Sequence, residues 1–458
     1  MKIELKNLGA LKQAEFTLGD MTILCGSNNT GKTYATYALF GFLSYWNEQS
    51  SIDISNQEID LLFNEGVIHI NIDDYINRAP EILNGVCENY TKSLPEVFAT
   101  LEEKFKESKF KVTILSDDIQ PIKNYERRIK AGNTEVLTIS KTESDFVITL
   151  LVEKGKLKVP RDAIEWTISS ALNYIIFGNL FPKPFIASAE RTGAAIFRKE
   201  LNFARNRLLE EMSQDKNIDP RKLLLKVYQD YALPVKENVD FTRQLETLAK
   251  NNSFIKNEYP EILSDFADII GGEYTVNSND ELYYTPKGKR IKLTMDESSS
   301  AVRSLLDIGF YLKHIAKKGD LLMIDEPELN LHPENQRRVA RLLARLVNLG
   351  IKVFITTHSD YIIKELNTLI MLNHDKPYLK NIAKQEGYKP EELISASQIK
   401  VYIAEKALVQ LDGGKRKTLC QTLTPVDIDP ELGIEARSFD TTIETMNRIQ
   451  EAIVWGGE

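Results

Sequence analysis

The chain has 458 residues, of which 42% are hydrophobic and 27% charged, and its formal net charge is -8. This length allows two or three domains with a large buried core, and the composition is that of an ordinary globular protein. The negative charge excludes a general basic surface of the kind that drives non-specific nucleic-acid binding, but it leaves room for a local basic patch.

Cysteine spacing and hydropathy bear on the compartment. Cys25, Cys87 and Cys420 are far apart and form no CxxC pair, which argues against a zinc knuckle or a disulfide framework. The first residues alternate in polarity and carry charge, so they are not expected to be a signal peptide. The most apolar stretch, residues 168–189, is interrupted by asparagines, Lys183 and two prolines, and is too short and too polar to span a bilayer. We therefore expect a cytoplasmic protein with no membrane partner.

The N-terminal part of the chain predicts strands, a tight turn and a helix. Apolar residues first fall near period two, and Met21 to Cys25 is a short buried run. A glycine-bearing turn covers residues 26–31, and the pattern of residues 32–43 predicts a helix. Residues 50–165 are mixed and predict an antiparallel β subdomain with helices. The strand-like runs of this stretch are residues 110–115, 135–139 and 146–152.

Residues 194–270 change character and become polar, charged and helical in pattern. Apolar residues recur three and four positions apart, as at Leu201, Ala204, Leu208 and Met212. Prolines divide the segment into several short helices. This pattern predicts a helical insertion, which includes the option of a short coiled-coil arm.

The C-terminal part alternates strands with helices. This alternation predicts an α/β protein with a mixed, mostly parallel sheet. The predicted strands are residues 274–276, 282–285, 291–294, 321–324 and 352–355, and the predicted helices are Ser299 to Ala316, Glu334 to Val347 and one from Asp360. The predicted domains are an N-terminal lobe (1–193), the helical insertion (194–270) and a C-terminal lobe (271–458).

The glycine-bearing turn has a phosphate-binding pattern. Residues 26–33 match G-x-x-x-x-G-K-[ST], with a buried strand before and a helix after. Glycines let the backbone N–H groups approach phosphates closely, and the helix N-terminus adds its positive end. We expect Lys32 to reach the β- and γ-phosphates and Thr33 to bind Mg²⁺. The residues expected to bind ATP are Gly26, Ser27, Asn28, Asn29, Thr30, Gly31, Lys32 and Thr33.

Two carboxylates end the apolar run at residues 321–324. Asp325 and Glu326 would lie at the carboxyl end of a central strand, where ligands bind in open α/β sheets. We expect Asp325 to hold Mg²⁺ and Glu326 to polarise the attacking water as general base. Thr33 and Asp325 lie far apart in the chain, so a large insertion splits the ATPase into two halves.

Together these residues resemble the SMC/RecF-like ABC ATPases, in the branch that includes the OLD nucleases and the ATPase subunits of the PARIS anti-phage defence system. Residues 325–333, Asp-Glu-Pro-Glu-Leu-Asn-Leu-His-Pro, look like the Walker B motif and D-loop of that branch. Thr357, His358 and Ser359 look like its H-loop. The resemblance implies an SMC-like head, head-to-head dimers, and a catalytic role for His358 as a sensor of the γ-phosphate.

The signature motif is less regular. Residues 297–304, Glu-Ser-Ser-Ser-Ala-Val-Arg-Ser, stand where the family has LSGGQ, but they lack the glycine pair. The resemblance implies that Ser299 and Ser300 contact the γ-phosphate of the partner subunit's nucleotide. Small hydroxyls at a helix start suit that contact. Residues 184–191 resemble a strand-and-arginine element that is common in this branch. Its arginine, Arg191, could either sense a phosphate or form a structural ion pair.

The segment after the H-loop bears on the choice of function. A toprim nuclease needs a glutamate and an Asp-x-Asp pair for two metals, and the chain offers Glu405, Asp427 and Asp429. The segment is short for that domain, and Pro430 favours a turn. We therefore expect a regulatory ATPase that holds and releases a separate toprim nuclease, with a phage protein as trigger. The alternatives are a RecF-like DNA-binding repair ATPase and an OLD-like nuclease.

Overall fold

The computed structural model describes residues 1–49, 52–115, 118–131, 134–143, 147–152, 160–197, 231–277, 281–411, 414, 416–434 and 441–455. Within these ranges, no helix has both the length and the apolar character needed to cross a membrane. Chain contacts divide the protein into two compact units. The first comprises Met1–Glu4, Gly41–Ser93 and Lys109–Lys183, and the second comprises Leu5–Phe40, Leu94–Ser108 and Pro184–Glu458. The three predicted domains stay a prediction, and Leu201, Ala204, Leu208 and Met212 lie outside the described residues.

The described residues form the following strands and helices. The strands are β1 (Lys2–Leu8), β2 (Leu11–Thr17), β3 (Met21–Cys25), β4 (Val67–Asn71), β5 (Lys109–Thr113), β6 (Tyr125–Ala131), β7 (Thr134–Lys141), β8 (Val147–Val152), β9 (Pro184–Ala187), β10 (Gly272–Val276), β11 (Leu282–Pro286), β12 (Leu321–Asp325), β13 (Lys352–Thr357), β14 (Ile399–Gln410), β15 (Lys417–Val426), β16 (Ile428–Asp429) and β17 (Gly433–Ile434). The α-helices are Lys32–Gln49, Asn56–Glu65, Ile72–Asn77, Ala79–Val97, Arg161–Phe177, Arg191–Ile196, Leu233–Arg243, Leu245–Leu248, Phe254–Glu258, Pro260–Ile270, Ser300–Ser304, Leu306–Phe310, Pro333–Asn348, Asp360–Leu372, Pro377–Gln385 and Thr441–Trp455.

The second unit is built on a six-stranded sheet with the order β15-β14-β3-β13-β12-β9. The β14–β15 pair is antiparallel, and every other neighbouring pair in this sheet is parallel. Strands β3 and β12 are buried at every position, which is why they read as continuous apolar runs rather than alternating ones. The predicted α/β fold with a mixed, mostly parallel sheet is confirmed.

Strand register brings the functional segments to one edge of this sheet. Asp325 of β12 pairs with Thr356 of β13, and Thr357 pairs with Cys25 of β3. On the other side of β12, Ile324 pairs with Ala187 of β9. All four strands are parallel, so the residues that follow each of them emerge at the same edge.

The first unit contains the predicted antiparallel β subdomain. Its sheet has the order β4-β8-β7-β6, and all three strand pairs are antiparallel. An aromatic cluster forms much of its core. Phe42 stacks on Phe110 with ring centroids 4.9 Å apart and meets Tyr90 and Phe181 edge-on at 5.5 Å and 5.6 Å. Each buried aromatic side chain removes about 150–250 Å² from water, so this cluster contributes strongly to the stability of the first unit.

Two sequence predictions are wrong in detail. The helix expected from Ser299 to Ala316 is broken into Ser300–Ser304, Leu306–Phe310 and a π-helical turn at Tyr311–Ile315, with Leu305 outside helical geometry (φ -103°, ψ 3°). The break occurs where the Ser304 carbonyl accepts a hydrogen bond from Arg191. The strand expected at residues 291–294 is reduced to one bridge, between Tyr284 and Leu293. The exposed charged turn before it, Lys287 to Arg290, has no apolar face to bury.

The central sheet should dominate the stability of the second unit. Leu322 lies in β12 with no exposed surface, so Leu322→Ala should lower the free energy of unfolding by about 2–5 kcal/mol through lost burial and a cavity. The matched control is Leu419→Ala in β15, because Leu419 is 63% exposed and its truncation should change stability by less than about 0.5 kcal/mol. Urea unfolding followed by circular dichroism measures both, and equal effects would contradict this description of the core.

Candidate functional site

The loop between β3 and the helix Lys32–Gln49 adopts a backbone shape that requires its glycines. Gly26 has φ +123° and Gly31 has φ +99°, and Asn29 between them has φ 60°. A Cβ at Gly26 would lie 2.7 Å from the Ala404 carbonyl oxygen, and one at Gly31 would lie 2.7 Å from the Leu11 side chain. The two glycines are therefore needed both for conformation and for space.

Lys32 folds back over this loop. Its Nζ donates hydrogen bonds to the Gly26 carbonyl at 3.0 Å and to the Ser27 carbonyl at 2.8 Å. The Thr30 hydroxyl also donates to the Ser27 carbonyl, at 2.8 Å. Burial lowers the pKa of Lys32, while the nearby carboxylates of Asp325 and Glu326 act in the opposite direction. The ammonium group is thus held at the loop and coupled to the acidic end of β12. Thr33, one position further, is exposed at the start of the helix.

Asp325 is a buried carboxylate at the end of β12, with 3% of its surface exposed. Its Oδ1 accepts a short hydrogen bond from the Thr356 hydroxyl. Burial raises the pKa of Asp325 to about 6, and the Thr356 hydrogen bond offsets part of that rise. A buried carboxylate of this kind is stabilised by a bound cation, because the cation replaces the lost hydration of the charge.

Glu326 differs from its neighbour in conformation and electrostatics. Its Oε1 lies 3.4 Å from Nε2 of His358, and this contact is the largest cause that lowers the pKa of Glu326. Its backbone is left-handed, with φ 53°, a conformation that costs a glutamate about 1–3 kcal/mol. The Glu326 N–H donates to the Thr356 carbonyl at 3.1 Å and to its hydroxyl at 3.2 Å. The surrounding hydrogen bonds therefore fix this conformation.

Glu328 fixes the loop that carries His358. Its Oε1 accepts hydrogen bonds from the Thr357 hydroxyl at 2.9 Å and from the His358 N–H at 2.6 Å. Burial raises the pKa of Glu328, and these two donors act against that rise. The segments that follow β12 and β13 are thus joined directly, and the His358 ring is held next to Glu326.

Sequence reasoning missed Glu190, which follows β9 at the same edge of the sheet. Its Oε2 accepts a hydrogen bond of 3.0 Å from the Tyr37 hydroxyl on the helix Lys32–Gln49. The negative charge of Glu190 contributes to the raised pKa of Asp325. Its position three residues after a parallel strand was the signal that could have found it. Thr356 and Glu328 were likewise not assigned roles, although both stand within or beside recognised motifs.

Arg191 is fully buried, and its contacts match neither of the two expected roles, phosphate sensing and a structural ion pair, completely. All four of its hydrogen bonds go to backbone carbonyls, those of Ser188, Ser304, Asp325 and Glu326. Its surface is 1% exposed. The contacts therefore favour a structural role over phosphate sensing, but the acceptors are carbonyl oxygens rather than an ion-pair carboxylate.

Ser299 and Ser300, the serines expected to act as the signature motif, lie on the surface of the chain. The Ser299 hydroxyl caps the helix Ser300–Ser304 by accepting from the Val302 N–H at 3.3 Å, and Ser300 is exposed. Through Ser304 and Arg191 this helix is connected to the ends of the Asp325 and Glu326 peptides. The serines are thus linked to the acidic cluster through the interior of the protein.

The three acidic residues considered for a nuclease lie in ordinary structural settings. The Asp429 carboxylate accepts the N–H groups of Glu431 at 2.7 Å and Leu432 at 2.9 Å, which makes it a turn-capping side chain. Glu405 lies in β14, opposite Thr422 of β15, and Asp427 is exposed. In the described part of the chain, no group of three or more His, Cys, Asp and Glu side chains is arranged to hold a metal ion.

Comparison with known proteins gives the family. The family profile for the AAA ATPase domain matches residues 1–363. This chain belongs to the AAA ATPase domain family. Membership fits the glycine cradle, the lysine and the two carboxylates described above, and at this level the protein is an ATP-binding ATPase.

Individual relatives are distant. The cell division ATP-binding proteins FtsE from two strains of Streptococcus pneumoniae are each 25% identical over 165 residues, which are 35% of this chain and 62% of theirs. The match therefore spans less than two thirds of the length of these curated relatives. Among solved structures, an SMC head bound to the C-terminal winged-helix domain of ScpA is 13% identical with a TM-score of 0.32, over 92% of this chain and 97% of that one. The SMC head domain from Thermotoga maritima is 10% identical with a TM-score of 0.31, over 93% and 98%.

Cation binding should depend on the ionisation of Asp325. Only the ionised carboxylate binds a divalent cation, so Mn²⁺ affinity in the presence of a non-hydrolysable ATP analogue should fall as the pH drops through about 6. Thr356→Val removes the hydroxyl that lowers this pKa, and the midpoint should move to higher pH. Thr357→Val is the matched control, because its hydroxyl donates to Glu328 instead. Electron paramagnetic resonance of Mn²⁺ measures the midpoint, and equal midpoints in the two variants would contradict the assignment.

Proposed function

We propose that this chain binds ATP with Mg²⁺, hydrolyses it to ADP and phosphate, and acts as a regulatory ATPase of the ABC type. One observation carries the proposal: a lysine held over a glycine cradle is electrostatically coupled to two carboxylates at the end of a neighbouring strand. The two carboxylates have opposite pKa shifts, which suits a division between metal binding and proton transfer.

Each residue of the site has a proposed task. Residues 26–33 bind the phosphates, and Lys32 neutralises charge that develops on them. Thr33 and Asp325 hold Mg²⁺, which supplies charge neutralisation when it is bound. The exposed Thr33 hydroxyl and the buried Asp325 carboxylate offer the hard oxygen ligands that Mg²⁺ prefers.

Glu326 acts as general base, and His358 holds it in position. Glu326 stays ionised at neutral pH, since the His358 contact lowers its pKa, and its carboxylate can orient the attacking water by accepting a hydrogen bond from it. The His358 ring lies 3.4 Å from one of its carboxylate oxygens, which leaves the other oxygen for water. The family resemblance also makes His358 the proposed sensor of the γ-phosphate, and the Glu328 carboxylate holds its backbone in place.

The regulatory part of the proposal rests on the resemblance to the anti-phage branch of ABC ATPases. In that reading two copies associate head to head, and Ser299 and Ser300 of each copy contact the nucleotide of the other. Their exposure supports this, because a contact across a subunit boundary needs accessible hydroxyls. The ATP-bound assembly would hold a separate toprim-type nuclease and release it when a phage protein binds.

The first test separates nucleotide binding from turnover. Lys32→Ala should abolish ATP binding because the cradle loses its cation, and the protein should stay monomeric. Glu326→Gln should keep ATP affinity, lower hydrolysis by about 10²–10⁴-fold and accumulate ATP-bound dimers. Lys318→Ala is the control, since this lysine is 59% exposed on another surface. Isothermal titration, phosphate release and analytical ultracentrifugation measure these effects, and normal turnover in either variant would refute the site.

The second test concerns the effector. Tagged Glu326→Gln protein, produced with its neighbouring reading frames, should retain a nuclease that Lys32→Ala protein does not, and phage proteins should release it. Protection of cells by this chain without any partner would overturn the proposal. Two other outcomes would support the alternatives. ATP-dependent duplex binding that weakens steeply with salt would indicate a RecF-like protein. DNA cleavage lost in the Asp427→Ala, Asp429→Ala double variant would indicate an OLD-like nuclease.

A further inference from the structure

Arg191 connects three separate segments of the second unit through a single side chain. Its Nε donates to the Ser304 carbonyl at 2.7 Å, and its Nη1 donates to the Asp325 carbonyl at 2.6 Å and to the Ser188 carbonyl at 2.8 Å. Its Nη2 donates to the Glu326 carbonyl at 2.8 Å. Because the guanidinium is planar and rigid, a shift of one acceptor moves the donors that face the others.

We infer that Arg191 is a positioning residue that ties the helix Ser300–Ser304 to the backbone of Glu326, so that the seating of the signature segment sets the place of the general base. This inference rests on the proposed function, because it assigns a regulator to the same site.

The Glu326 end of this connection is under strain. The peptide groups on both sides of its α-carbon are held, with the N–H bound by Thr356 and the carbonyl by Arg191. These contacts keep φ at 53°, a left-handed value that a glutamate avoids without support. Loss of the Arg191 contact would let the backbone relax toward negative φ and carry the carboxylate away from His358.

Side-chain hydrogen bonds tie the signature end of this connection together. The Arg303 guanidinium donates to the carbonyls of Met295 at 3.0 Å and Ser298 at 2.6 Å, which fastens the segment before the helix to the helix itself. The helix then breaks at Leu305, immediately after the carbonyl that Arg191 binds. On this inference, a ligand that displaces Ser299 and Ser300 would also displace the Ser304 carbonyl, because these hydrogen bonds connect the whole segment.

The buried carboxyl group of Asp307 offsets part of the cost of burying Arg191, and it does not compete for the same hydrogen bonds. Asp307 is 1% exposed, and within the described residues both of its carboxylate oxygens lack a hydrogen-bond partner. Its charge is the largest factor that opposes the effect of burial on Arg191. Burial raises the pKa of Asp307 to about 7, and the charge of Arg191 opposes that rise, so the two groups interact electrostatically while the donors of Arg191 remain bound to carbonyl oxygens.

The test measures coupling between Arg191 and the signature segment. Arg191→Lys keeps the charge but cannot bridge the three segments, so kcat should fall about 100-fold. Affinity for a non-hydrolysable ATP analogue should stay within about twofold, since residues 26–33 are untouched. Ser300→Arg blocks the signature surface and should also lower kcat about 100-fold in the wild-type background. In the Arg191→Lys background, where the connection is already broken, the same change should lower kcat less than about threefold.

Controls and alternatives keep the result interpretable. Arg290→Lys, at an exposed arginine, should leave kcat unchanged. Multiplicative losses from Arg191→Lys and Ser300→Arg would overturn the inference, since independent effects multiply. Should Arg191→Lys fail to fold, Arg191→Gln, which also cannot reach all four carbonyls, replaces it in the same cycle, and additivity there would overturn the inference equally. If Arg191→Lys has a normal kcat while Glu326→Gln is inactive, the inference is wrong and the proposed function stands. Activity in Lys32→Ala would instead remove the proposed function.

Discussion

One hydroxyl group, that of Thr356, organises the acidic end of the site. It donates to the Asp325 carboxylate and accepts the N–H of Glu326, so the two neighbouring acids are oriented by the same side chain from the adjacent strand. The parallel register of β12 and β13 makes this possible, because Thr356 lies directly opposite Asp325. The rest of the site is arranged around this fixed point, with Arg191 on the carbonyl side of the same peptides.

Two adjacent carboxylates in such a small space would ordinarily repel each other. Here their environments differ enough to give them different chemistry. Burial raises the pKa of Asp325 to about 6, whereas the His358 contact lowers the pKa of Glu326. On the proposed function, Asp325 gains most from a bound cation, and Glu326 is the ionised carboxylate that orients water. The separation depends on side-chain direction, and that direction follows from the left-handed backbone at Glu326.

Local sequence patterns predicted the parts of the structure that depend on local chemistry. The phosphate loop was predictable because its glycines and lysine are required at fixed spacing, and the carboxyl-edge position of Asp325 followed from the apolar strand before it. The role of Arg191 was not predictable in the same way. Its acceptors are backbone carbonyls, which any residue type provides, so they leave no mark in the sequence. The break at Leu305 was missed for the same reason, because the apolar periodicity continues across it.

The contact between Gly26 and β14 has a consequence for how the phosphate loop behaves before it meets a ligand. The α-carbon of Gly26 lies so close to the Ala404 carbonyl that even a methyl group would not fit between them. The neighbouring strand β14 therefore shapes the loop before a ligand binds. Little conformational entropy of the loop remains to be lost on binding. The free energy of the loop's phosphate contacts is therefore available for affinity instead of being spent on ordering the loop.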